Sequence, residues 1–168
     1  YNSDDVGERG NPYKYITAGD GWRLNIQESI TWETMKDSND DEVTLYKWYD
    51  SDGTEHCFTF SENIHLAMDE DGLGLTMTNQ DSNNYIEIYY KDGSIKRFTK
   101  YSATASMEEC ALLSYIMDAY GNKIVFHHEN VGSGRNVVTS IGIQPNGSTE
   151  IPYFEFEYGS LGNLYEIE

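Results

Sequence analysis

The sequence predicts an all-β fold of antiparallel hairpins forming a twisted sheet, with at most one short helix. Three observations carry that expectation. Its 23 aromatic residues (14 Tyr, 6 Phe, 3 Trp) favour pleated surfaces. Apolar residues alternate with polar ones at Ile86, Ile88 and Tyr90, at Ile124, Phe126 and His128, and at Phe154, Phe156 and Tyr158. Turn-forming pairs separate these runs: Asp52-Gly53, Asp71-Gly72, Asp92-Gly93, Gly121-Asn122 and Asn146-Gly147.

Taken in chain order, residues 1–18 have the composition of an irregular segment, and residues 19–168 form a single β-rich domain. The stretch "WRLNIQESITWE", 22–33, keeps Leu24, Ile26, Ile30 and Trp32 in even register and reads as one long or bulged strand, or two. "KDSNDDE", 36–42, is a solvated acidic loop. The helical candidate is "SMEECALLSYIM", 106–117, in which Ser106 could cap a turn carrying Met107, Cys110 and Ala111 on one face. The turn glycines recur at intervals near twenty residues, the spacing of a repeated hairpin whose loops vary in length.

Charge narrows the partners. The 29 acidic and 11 basic side chains give a formal charge of −18, which repels phosphate backbones and argues against nucleic acid. No apolar run approaches the roughly 20 residues of a membrane-spanning helix, so no membrane insertion is expected. The chain does not begin with Met and ends in a strand-like pattern, which suggests a piece of a longer protein with any export signal upstream. Cys57 and Cys110 lack C-x-x-C spacing, and two buried free thiols are expected in preference to one disulfide.

Two segments near the end of the chain carry a family resemblance. "GNKIVFHHENVGSGRNVVTSI", 121–141, and "NGSTEIPYFEFEYGSLGNLYEI", 146–167, resemble the bacterial Rhs or YD-repeat pattern, approximately G-N-x-x-x-Y-x-Y-D-x-x-G-R-L-x-x-I. Phe126 and His128, then Phe156 and Tyr158, stand at the tyrosine positions. Glu129 and Gly159 replace the aspartate, so neither copy keeps an intact Tyr-Asp pair. Upstream, "GDGWRLN", "YDSDGTEHCFTF" and "DEDGLGLTMT" are similar to the stretch preceding the repeats in Gram-positive wall-associated members, extending the resemblance over 19–168. It implies an open arc of a β-shell: a non-enzymatic structural segment of a large secreted or cell-wall-associated protein, in some members enclosing or presenting a toxin. The implied partners are adjacent repeats of the same parent chain, with self-association through exposed strand edges.

Chemical readings compete with that structural one. In an EF-hand, Gly53 or Gly72 at position 6 would put Trp48 or Ala67 at position 1 and Thr59 or Thr78 at position 12, so the ligand set fails twice. A calcium site of another kind would use Asp69, Glu70 and Asp71. A glycosidase pair would draw on Glu28, Asp50 and Asp52, none singled out by spacing. His127 and His128, like His56 and Cys57, are strand neighbours that face opposite ways and do not chelate together. No catalytic residues, metal or cofactor are therefore expected. The second functional reading is a cell-surface carbohydrate-binding module stacking glycan or cell-wall polymer on Trp22, Trp32, Trp48, Tyr49, Tyr89 and Tyr90.

Overall fold

A computed structural model describes residues 24–61, 66–80, 84–101, 110–130, 136–159 and 164–168. Among the described residues, twelve strands make one antiparallel, open sheet: β1 Ser29–Lys36, β2 Glu42–Tyr49, β3 Glu55–Ser61, β4 Leu66–Met68, β5 Thr76–Gln80, β6 Tyr85–Tyr89, β7 Ile95–Tyr101, β8 Cys110–Met117, β9 Lys123–Asn130, β10 Asn136–Gln144, β11 Ile151–Tyr158 and β12 Leu164–Ile167. Among the described residues there is no helix. The expected all-β hairpin architecture is the one found. Trp22, residues 1–18 and residues 106–109 lie outside the described residues.

Two expectations need correction. Residues 110–117 of the helical candidate form strand β8, with Cys110, Ala111, Leu112 and Leu113 buried in succession. A strand buried on both faces loses its period-two alternation, and its continuous apolar run then resembles a helix core. The strand expected from residue 22 begins at Ser29, because a turn in which Gln27 N–H donates to the Leu24 carbonyl precedes it.

The hairpins share a local cause. Asp37, Asp50 and Asp118 each open a five-residue reversal, and one carboxylate oxygen accepts two backbone N–H groups: Asn39 and Asp41, Asp52 and Thr54, Tyr120 and Asn122. The fourth residue takes positive φ, at Asp40 (67°), Gly53 (86°) and Gly121 (88°). This is the three-residue hairpin loop in which a left-handed residue restores strand twist. In the β6–β7 turn Tyr90 occupies the first position, and Asp92 accepts the Ser94 N–H instead.

Gly121 has a second constraint, since a Cβ there would lie 2.9 Å from Asn146 Cγ. Asn146 clasps this turn to the next, donating from Nδ2 to the Tyr120 carbonyl and from its own backbone N–H to Asn122 Oδ1. Gly121→Ala is therefore expected to cost about 1–2 kcal/mol in a denaturant melt.

Strand β8 is where the sheet branches. One edge pairs with β7; the other is shared, Cys110–Leu112 pairing with β1 and Tyr115–Met117 with β9. The β1–β2–β3 branch curls over the β4–β8 branch, so Ile30, Tyr46, Trp48 and Phe58 pack against Met77, Ile86, Ile88 and Phe98. Where β3 comes back to β4, the described residues of the two do not pair as strands. The seam is held by the Glu70 N–H on the Cys57 carbonyl and by Thr59 Oγ1 donating to Glu70 Oε1 at 2.5 Å. Strands β9–β12 continue outward from β8 as a strip of successive hairpins.

Candidate functional site

One end of the curled core gathers charged groups that the sequence scatters. Glu28, 4% exposed, precedes β1 and accepts from Trp48 Nε1 on β2 at 3.0 Å. Lys96 on β7 donates to both Glu28 oxygens at 2.8 and 2.9 Å. Its ammonium also lies 4.9 Å from the Trp48 ring centroid and 5.7 Å from that of Tyr90. Burial works against the Lys96 charge, but Glu28 and Tyr90 outweigh it and raise its pKa.

Trp48 in turn packs against His56 with ring centroids 4.8 Å apart. His56 Nδ1 meets Asp71 Oδ2 at 2.9 Å, and Nε2 meets Asp50 Oδ2 at 3.2 Å. Burial would raise the Asp50 carboxyl, yet the bonds from His56, Thr54 and Asp52 hold it below the usual range. His56 thus ties the β2–β3 turn to the β4–β5 loop across the seam.

The carboxylates singled out by sequence are already committed to such contacts. Asp69 accepts from the Leu73 and Leu75 amides at 2.5 Å each, Glu70 from Thr59, and Asp71 faces His56. These three diverge, and among the described residues no group of three His, Cys, Asp or Glu side chains could hold a metal ion. Glu28 and Asp50 join one buried network through Trp48 and His56, whereas Asp52 stays in its turn.

The five aromatic candidates among the described residues do not share one face. Trp48 is 3% exposed, and Trp32 stacks on Tyr46 with centroids 5.7 Å apart. Tyr90 turns inward against Lys96. Tyr49 and Tyr89 follow Trp48 and precede Tyr90 in sequence, so strand alternation sends them to the outer face. There Tyr49 donates to Glu55 Oε2 and Tyr89 to Glu87 Oε2, both at 2.6 Å. Trp22 lies outside the described residues.

The outer face of β6–β9 carries an arrangement that the sequence reading missed. Arg97 donates twice to Glu87 Oε1, at 2.8 and 2.6 Å, and its guanidinium lies 4.0 Å from the Tyr85 ring centroid and 4.8 Å from that of Tyr115. Lys123 approaches the Tyr115 centroid at 4.7 Å. Register produces the set directly: Glu87 opposes Arg97, and Arg97 opposes Tyr115. The signal was available in the alternation Tyr85, Glu87, Tyr89 opposite Ile86 and Ile88. Burial, with help from the Glu87 bond, pushes the Tyr89 hydroxyl up to about 12.

The histidine pair divides as strand geometry requires. His127 meets Glu150 Oε1 at 2.7 Å on the outer face, while His128 opposes Val138 on the inner one. Burial, with a smaller contribution from His127, pulls the His128 imidazole down to about 4. A folded-state pKa below the unfolded value means that the unfolded chain binds the proton more readily. Stability is therefore expected to be full above pH 6.5 and to fall by about 2–3 kcal/mol between pH 6.5 and 4. Denaturant melts should show that slope flattened in His128→Phe. Both cysteines are free; Cys110 is buried as expected, but Cys57 is partly exposed and bonds to Glu55.

No family model matches the chain, and no curated protein or solved structure is significantly similar to it.

Proposed function

We propose that this chain is a structural β-strip, a non-enzymatic scaffold or shell segment of an exported Rhs/YD-repeat-type protein. The observation that carries this reading is the architecture: a curled eight-stranded core runs on through β8 into hairpins that each pair only with their neighbours. Such a strip lengthens by adding hairpins at its free edge and needs no central site. The committed state of the charged groups supports it, since Glu28, Lys96, His56 and Asp50 spend their bonding capacity on one another and on turns.

A second reading, a carbohydrate-binding β-module, is favoured by one observation: the partly exposed rings of Tyr85 and Tyr115 flank Arg97 on the outer face, with Tyr89 bonded to the same Glu87 as Arg97. Titration calorimetry against a panel of cell-wall polymers separates the two. Tryptophan fluorescence is a poor probe, because Trp48 is buried and the partly buried Trp32 is stacked on Tyr46. No heat with any polymer is the scaffold result; binding that Tyr115→Ala abolishes would replace it with the carbohydrate reading.

A further inference from the structure

The strip β9–β12 has two chemically different faces. Register aligns Ile116, Ile124, Ile143 and Ile151 in one row across four strands, and Phe126, Ile141 and Phe154 in the next. Phe126 is a member of the buried core, with Ile116 and Ile141 packed against it. Farther out the same face opens to solvent: Ile124 is 44% exposed, Ile143 39%, Ile151 58%, Phe154 42% and Ile167, opposite Phe156, 52%. The reverse face carries acid, with Glu129 opposite Val137, Glu155 opposite Ser140 and Glu157 opposite Glu166.

We infer that this apolar face is the interface between two copies of the chain, stacked sheet on sheet. Charge sets the orientation of the two copies. Two molecules of net charge −18 repel in most orientations. With the apolar faces together, about 10 Å apart as packed sheets are, the acidic faces point away from each other, separated by more than the ~8 Å Debye length. No charged side chain of the aligned rows has to be desolvated, and a flat apolar surface is complementary to its own copy under two-fold symmetry. The five exposed side chains offer ~500 Å² per copy, so the pair removes ~1,000 Å², the lower end of specific interfaces. The dimer should accordingly be weak and concentration-dependent. This inference stands independently of the family reading.

Sedimentation equilibrium of the full chain, repeated across a salt series, tests it. The expected result is a monomer–dimer equilibrium that tightens as salt rises, because screening weakens repulsion while the contact itself is uncharged. Ile151→Lys should raise the dissociation constant at least tenfold even though it lowers the net negative charge, and Glu157→Lys on the reverse face should not weaken the dimer. Circular dichroism checks that both variants fold. Methyl resonances of the unaltered chain give a readout that needs no substitution: concentration-dependent shifts should centre on Ile124, Ile143, Ile151 and Ile167. A chain that stays monomeric at every salt, or a dimer untouched by Ile151→Lys, would overturn the inference; the second result would indicate edge-to-edge strand pairing instead.

Discussion

Replacing Lys96 by alanine is expected to destabilise the fold by about 3–5 kcal/mol, since it strands the Glu28 carboxylate in a buried position without its cation. Trp48 Nε1 would still donate to Glu28, but one neutral donor does not offset the loss of an ammonium bonded to both oxygens. The cost belongs to the uncompensated buried charge more than to the pair itself. A Glu28→Gln, Lys96→Met double variant should therefore recover most of the loss, because it removes both charges from the interior together. Chemical denaturation of Glu28→Gln, Lys96→Met and the double variant measures the coupling directly. A single-variant cost below about 1 kcal/mol would show that Glu28 is solvated in solution and that the network is a surface feature.

Phe98→Ala is expected to cost a comparable amount, about 3–5 kcal/mol, through the cavity it leaves. Phe98 has no exposure and opposes Ile86 on one side and Leu113 on the other, at the level where the β1–β3 branch closes over the sheet. The surrounding strands are fixed by backbone pairing, so the space collapses poorly. Ile143→Ala on the strip should cost the isolated chain far less, about 1 kcal/mol, because that side chain is already 39% exposed. Thermal melts of both variants locate the load: equal losses would mean that the strip and the curled core form one uniform packing unit.

The sequence exposed the local grammar of this fold more clearly than its closure. Alternation in Ile86, Ile88 and Phe126 located inward faces, and each turn dipeptide marked a real reversal, because strand parity and positive φ are properties of a few adjacent residues. Long-range pairing was hidden. Ile30 opposes Ala111, a partnership that depends on β8 sharing one edge between β1 and β9, and nothing in either segment encodes that division. The Glu28–Lys96 pair spans 68 residues, so the two side chains could be read only as isolated charges.

The five described aromatic candidates divide between two faces for a related reason. Trp48 with Tyr49, and Tyr89 with Tyr90, are adjacent in sequence, and adjacency in a strand means opposite faces. Parity alone could have split them. It could also have found the Tyr85, Glu87 and Tyr89 face, whose pairing with Arg97 adds the information that only register supplies.

Native-state hydrogen exchange along the chain distinguishes a curled core extended by a neighbour-supported strip from a single uniform packing unit. Protection should be highest in β6–β8, where Ile86, Ile88, Phe98 and Leu113 are buried, and should fall stepwise from β9 through β12, where β11 is exposed along most of its length. Uniform protection out to β12, lost in a single cooperative opening, would contradict it.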